Sequence, residues 1–274
     1  MPAEGRHPGL RVLVTNDDGV EAPGLHALVV ALDAAGYHVV VAAPLDDRSG
    51  AGASIGNLQP GGSIHTERRV LPGLEHIEAH GVDGPPALAV MAARLGGFGP
   101  PPDVVVSGIN PGNNTGRATL HSGTVGAALT ASNLGVSGLA VSIGWAGAPR
   151  WATAGAVAVA TLEWLLTAPE RTVVNVNVPD CELADLKGVR WAELAPFGTV
   201  RAALDSDGTG GPLQIELTEV DVVLPADSDS ALVMAGYAAV TTIVGIRATA
   251  PEPLDREIER LLDLGPGSSK AESA

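Results

Sequence analysis

Leu10-Arg11-Val12-Leu13-Val14-Thr15-Asn16-Asp17-Asp18-Gly19 decides how the rest of the chain is read. Its first half is a short apolar run of the kind that forms a buried strand. Its second half places two adjacent carboxylates where that strand should end. Like charges side by side at the edge of a core cost free energy unless something positive lies beside them, and a divalent cation is the usual remedy. A solvated turn is the competing reading, because Asn, Asp and Gly are all good turn formers.

Outward from this strand, the first half of the chain alternates strand and helix. Pro23–Ala35 reads as a helix, with Pro23 in its first turn, an apolar face of Leu25, Leu28, Val29 and Leu32, and Gly36 as the stop. His38–Ala43 is a Val-rich run with little alternation, as expected of a parallel strand covered on both faces. Two short extended pieces are expected on either side of Pro72-Gly73. A helix over Pro86–Leu95, a strand over Asp103–Val106, a helix over Gly123–Leu134, a strand over Leu139–Ile143, a helix over Ala152–Leu166 and a strand over Thr172–Val176 follow. This order predicts an α/β fold: a Rossmann-like three-layer αβα arrangement around a mostly parallel sheet.

After Pro179 the pattern changes to extended runs, Val189–Leu194, Leu213–Val220 and Ala238–Ile246, joined by Gly- and Asp-rich turns. The expected division is a metal- and phosphate-binding core over residues 1–180 and a β-rich C-terminal extension over 181–264 that serves oligomerisation. A terminal helix over Glu252–Leu264 and a disordered tail over 265–274 complete it.

Composition sets limits on function. The 274 residues carry a formal net charge of -15, and aromatic residues are only 3%. Such a chain is a poor ligand for duplex nucleic acid, whose affinity comes largely from Lys and Arg on phosphates, and it has few stacking platforms. Mean hydropathy of +0.22 and 45% hydrophobic residues exclude disorder of the whole chain. A single cysteine, Cys181, rules out an intrachain disulfide. No apolar leader is read at residues 1–10 and no stretch is long and uncharged enough to span a bilayer, so a cytoplasmic protein without membrane partners is expected.

In an open α/β sheet, ligands gather at the carboxyl ends of the strands. The polar clusters fall there: Asn16-Asp17-Asp18-Gly19, then Asp46-Asp47-Arg48-Ser49-Gly50, then Ser107-Gly108-Ile109-Asn110, and Ser122-Gly123-Thr124 at a helix start. Carboxylate, hydroxyl and amide oxygens suit a hard cation such as Mg²⁺, Mn²⁺ or Ca²⁺. The Ser122-Gly123-Thr124 start offers free N–H groups, hydroxyls and the positive end of a helix dipole to a phosphate. Its plainer reading is an ordinary Ser N-cap. Asp46 and Asp47 read as solvated loop charges.

Taken together, Asn16-Asp17-Asp18-Gly19 with Ala22-Pro23-Gly24, Ala43-Pro44 with Arg48-Ser49-Gly50, Ser107-Gly108-Ile109-Asn110, Asn114, Gly116 and Ser122-Gly123-Thr124-Val125 resemble the SurE family of metal-dependent 5′/3′-nucleotidases. Asn175-Val176-Asn177-Val178-Pro179 and Gly236-Tyr237 fit its later blocks. The resemblance implies one divalent cation per subunit, Mg²⁺ or Mn²⁺, held by Asp17, Asp18, Ser49 and Asn110. It places Asn114, Ser122, Gly123 and Thr124, with Asn110, around the phosphate of a nucleoside monophosphate, and Asp17 and Asp18 in the catalytic role. It also implies a homodimer or homotetramer. Departures from the family pattern occur at Gly84-Pro85-Pro86-Ala87-Leu88, His121, Thr130 and around Phe197–Asp207; they bear on substrate preference and oligomer contacts.

Three other functions are weighed. A phosphatase with a nucleophilic aspartate needs its second acid two residues on, where this chain has Gly19. A dinucleotide-binding dehydrogenase needs a glycine-rich turn after the first strand. A nucleotide-binding module of the same fold that has lost turnover remains as the alternative from a different class.

Overall fold

The computed structural model describes residues 9–145, 147–196, 200–205, 214–219 and 223–246, together with Ile258 and Leu261. Strand β1 is Arg11–Thr15, followed by helix α1 (Pro23–Ala34) and strand β2 (His38–Pro44). Two short strands, β3 (Thr66–Arg69) and β4 (Glu78–Val82), precede α2 (Pro86–Arg94). Then come β5 (Val104–Pro111), α3 (Gly123–Asn133), β6 (Ser137–Ile143), α4 (Trp151–Leu165) and β7 (Val173–Val178). Beyond β7 lie β8 (Val189–Trp191), β9 (Val200–Asp205), β10 (Gln214–Glu219), α5 (Asp229–Met234) and β11 (Ala238–Thr242).

Among the described residues, the main sheet has nine strands in the order β3-β4-β2-β1-β5-β6-β7-β11-β8. The six from β4 to β7 are mutually parallel, with β3 antiparallel on one side and β11 antiparallel to β7 on the other. The mostly parallel α/β sheet expected from the alternation is therefore present. Its apolar runs are continuous because both faces are covered. Val12, Val14, Val39, Val41, Val104 and Val106 pack with α1 and α4, while Leu13, Val40 and Val105 pack with α2 and α3. Leu25, Leu28 and Leu32 of α1 are fully buried, each contributing about 1.5–3 kcal/mol of transfer free energy. The one charge in β1, Arg11, lies at the end of the strand away from the two aspartates, where its guanidinium donates to the Phe98 carbonyl at 2.6 Å.

Two sequence expectations are revised. β5 does not stop at Val106. It continues through Ser107-Gly108-Ile109-Asn110 to Pro111, with a register shift against β6 between Ser107 and Asn110. A bulge of this kind re-aims side chains, and the glycine hid it by breaking the apolar pattern. The extended runs after Pro179 do not all form a separate antiparallel appendage. β11 pairs with β7, and β8 pairs parallel with β11, so both continue the main sheet; only β9 and β10 form their own antiparallel pair. Helix α5 falls in a Ser- and Asp-rich stretch and is too short to show a helical period. Its cap, Ser228 accepting from the Ala231 N–H, and the stop at Gly236 were the available signals.

The described residues divide into two units at the 244/245 boundary. The expected helix over Glu252–Leu264 lies outside the described residues except for Ile258 and Leu261, and the expected tail over 265–274 lies wholly outside them.

The order of strands places a crevice. The chain leaves β1 for β2 on one side, then returns to β5 on the other. At such a switch the loops leaving β1 and β5 diverge, and ligands bind in the gap between them. Helix α1 closes down on this point: a Cβ built on Gly24 would lie 2.0 Å from the Ile109 carbonyl oxygen, so only glycine allows α1 to approach the bulge of β5.

Candidate active site

β1 delivers Asp17 and Asp18 to the crevice. Asp17 is 4% exposed, and both of its oxygens are engaged at the start of α3. The Gly123 N–H donates to Oδ2 at 3.1 Å and the Thr124 hydroxyl donates to Oδ1 at 2.5 Å. A Cβ on Gly123 would lie 2.7 Å from Asp17, so a side chain there would push the carboxylate away. The Ser122 hydroxyl accepts from the Val125 N–H at 3.1 Å, capping the helix. The Ser122-Gly123-Thr124 start, read in the sequence as a berth for phosphate, is thus occupied first with Asp17. Its donors and its dipole hold a carboxylate of the chain itself, and Ser122 follows the plainer N-cap reading.

Asp18 is in the opposite situation. Its Oδ2 is buried without a hydrogen-bond partner among the described residues. Burial, then the neighbouring charges of Asp17 and Asp47, push its pKa up to about 7. Burial also raises Asp17, against the opposing effect of Thr124 and Gly123. Two carboxylates whose ionised forms are both disfavoured need a positive charge between them, and an orphaned buried oxygen needs a donor or a cation.

The neighbouring loops supply neutral oxygens. Asn110, at the end of β5, donates its amide to the Gly112 carbonyl at 2.6 Å, which turns Oδ1 into its remaining polar atom. Ser49 is exposed on the loop after β2, which is tied to β1 by the Arg48 N–H donating to the Asp17 carbonyl at 2.7 Å. The Ser49 hydroxyl donates to Asp47 at 2.6 Å, leaving its lone pairs available. The same contacts hold the Asp47 carboxyl below the usual range. Asp47 is therefore more than a solvated loop charge: it orients Ser49 and adds to the field on Asp17 and Asp18. No three His, Cys, Asp or Glu side chains gather around a metal position among the described residues. The donor set is two carboxylates with hydroxyl and amide oxygens, which fits a hard cation that retains water ligands.

Asn114 is placed beside the site but is heavily used. Its amide donates to the Ser142 hydroxyl at 2.9 Å, its N–H donates to Asn177 Oδ1 at 2.7 Å, and its carbonyl accepts from Asn175 and Asn177 at 2.8 and 3.0 Å. Asn175 and Asn177 are fully buried in β7. Their alternate spacing in a Val-rich strand puts both on one face, and buried amides must find partners; that was the signal that they serve this loop.

A family model described as survival protein SurE matches residues 12–199. The chain belongs to the SurE family. Among SurE-family relatives, a 5′-nucleotidase SurE of Aeromonas hydrophila is 37% identical over 204 residues, 74% of this chain and 78% of that protein. A 5′/3′-nucleotidase SurE of Cronobacter sakazakii is 35% identical over 245 residues, 85% of this chain and 90% of that protein. The solved structure of a SurE protein from Aquifex aeolicus superposes with a TM-score of 0.73 at 29% identity, covering 92% of this chain and all of that one (100%). The SurE-family match spans β1 to the segment after β8, and so includes every site residue above.

Proposed function

We propose that this protein is a divalent-metal-dependent phosphomonoesterase that hydrolyses nucleoside 5′-monophosphates, and 3′-monophosphates as a second class. The observation that carries the reading is the Asp17-Asp18 pair at the sheet's switch point, Asp17 buried and Asp18 half-buried with a carboxylate oxygen that has no partner among the described residues. The names of the SurE relatives support the substrate class. Asp17, Asp18, Asn110 and Ser49 would hold one Mg²⁺ or Mn²⁺. When bound, the cation would neutralise phosphate charge and polarise a phosphoryl oxygen toward attack by water.

The chain's own residues divide the remaining work. Gly123 and Thr124 fix the orientation of Asp17, with Ser122 closing the turn behind them. The positive end of α3 adds its field where phosphate charge grows. Asp18 is the carboxylate left with an open oxygen for the cation, and one carboxylate of the pair takes the proton of the attacking water. Asn114, held by Ser142, Asn175 and Asn177, would line the phosphate pocket.

The expected result is turnover of nucleoside monophosphates with Mg²⁺ or Mn²⁺ that is abolished by excess chelator and restored by adding the metal back. Full activity in chelator would overturn the metal assignment. Binding without turnover would instead favour the nucleotide-binding alternative.

Assembly as a homodimer or homotetramer through the C-terminal extended segments belongs to the same reading. It is supported by β8, the last strand of the sheet among the described residues, where Val189 and Trp191 are 52% and 59% exposed beside the exposed Trp164 and Leu183; an apolar edge of this kind favours a covering partner. Sedimentation at micromolar concentration should show a dimer or larger, and a monomer would refute it. A cytoplasmic location accords with the single free cysteine, Cys181. Among the described residues, no helix is long and apolar enough to cross a membrane.

A further inference from the structure

Asp229 opens α5, yet it is fully buried and its carboxylate reaches back into the catalytic half of the chain. Oδ2 accepts from the Gly116 N–H at 2.7 Å. Oδ1 accepts from the Ala195 N–H at 3.0 Å and from the Ser230 N–H at 2.8 Å. The Asp229 N–H in turn donates to the Glu193 carbonyl at 2.8 Å. An ionised carboxylate is costly to bury, so one held inside by three main-chain donors marks a place where those donors must not move.

Gly116 is where the site needs an anchor. It lies two residues after Asn114 and opens the 3-10 turn Gly116–His121, which leads into the cap of α3. The Thr119 hydroxyl donates to the Gly116 carbonyl at 2.8 Å, and the Ser122 N–H donates to the Thr119 carbonyl at 3.3 Å. From Ser122 the next two residues carry the donors on Asp17. Gly116 has φ +58, and a Cβ there would lie 2.9 Å from the Ala195 carbonyl oxygen, so the turn is pressed against the segment that Asp229 also grips.

We infer that Asp229 is a positioning residue for the active site: it fixes the Gly116 end of the turn so that Asn114 on one side, and Ser122, Gly123 and Thr124 on the other, keep their places around Asp17. The inference rests on the proposed nucleotidase reading for its catalytic consequence, though not for its geometry. Asn114 is clamped from β7 and Gly116 from α5, so the segment is held at both points. Positioning of this kind matters because partners behind the groups that contact a ligand typically cost ten- to a hundredfold, roughly, when lost.

The test compares Asp229→Asn with Ser228→Ala. An Asn keeps the shape but has one acceptor oxygen where the carboxylate has two, so either Gly116 or Ala195 meets an N–H₂ group. Ser228→Ala removes the cap of α5, where the hydroxyl accepts from Ala231 and donates to Pro225, without touching the Asp229 contacts. At a temperature well below both melting points, D229N should lose at least about tenfold in kcat/KM for a nucleoside monophosphate. Its amides at 116–122 should exchange faster while those of β5 and β6 do not, and S228A should stay within about threefold of wild type, below that tenfold scale. Wild-type turnover in D229N, or an equal loss in S228A, would overturn the inference. If D229N does not fold, hydrogen exchange of the wild type decides: a protected Gly116 amide supports the anchor, and exchange at the rate of a free loop amide refutes it. A wild type with no turnover at all would count against the nucleotidase reading, while the exchange pattern would still test Asp229.

Discussion

Asp17→Asn is expected to lower turnover by at least about a hundredfold, the scale of losing one preorganised electrostatic element. The substitution removes a full negative charge from the proposed cation site. It keeps the contacts at the start of α3: Oδ1 still accepts from the Gly123 N–H, and the N–H₂ group donates to the Thr124 hydroxyl, which accepts as readily as it donates. The loss is therefore one of charge. The fold should persist, because β1 is paired along its length with β2 and β5 irrespective of residue 17. Far-UV circular dichroism and a Mn²⁺ titration check the two halves: an unchanged spectrum with much weaker Mn²⁺ binding. Near-normal turnover, or unaltered Mn²⁺ affinity, would remove Asp17 from the site. Thr124→Val makes the complementary change, since it deletes one donor on Asp17 and leaves the charge; its loss should be smaller than that of D17N.

What was legible in the sequence follows from how local each feature is. The strand Arg11–Thr15 and the helix Pro23–Ala34 declare themselves through neighbours: a continuous apolar run, a first-turn proline, a period of 3.6. Alternation of strand and helix then fixes which ends of the strands share an edge, and so brings Asp17, Ser49, Asn110 and Ser122 together. What those residues do to one another is not local. The Gly123 and Thr124 contacts with Asp17 span 106 and 107 residues, and that of Asp229 with Gly116 spans 113. A helix start reads identically whether it faces a phosphate, solvent or a carboxylate of its own chain, which is why the donors assigned to phosphate turn out to hold Asp17. The continuation of β5 was hidden for a related reason: Gly108 interrupts the apolar pattern, but the strand is carried on by pairing with β6.

Asp18 gives the second large effect, and its sign differs between loaded and metal-free protein. In the metal-free fold its pKa is raised to about 7 from the ordinary 3.8, by burial first and then by Asp17 and Asp47. The folded state therefore binds more protons than the unfolded chain between those two values, and stability falls as pH rises through that window. Above about pH 7 both states are ionised and the loss is complete. Asp17, shifted in the same direction, adds to it. The lowered carboxyls of Asp47 and Glu78 act in the opposite sense, but below their ordinary values of 3.8 and 4.5 and so beneath pH 5. In excess chelator, the melting temperature of the wild type should accordingly drop between pH 5 and pH 8, on the order of a few degrees for a chain of this size. Asp18→Asn should flatten that slope and melt higher than wild type at pH 8. Adding Mn²⁺ should reverse the ranking, because a ligand that binds only the folded state stabilises by mass action and needs its carboxylates deprotonated. Turnover of D18N should fall by at least about a hundredfold even though its metal-free form is the more stable. A variant that melts lower than wild type in chelator at pH 8 would show that Asp18 is held by contacts within the fold. A variant that melts higher and yet remains active would show that the repulsion between the two aspartates is real but that the chemistry lies elsewhere.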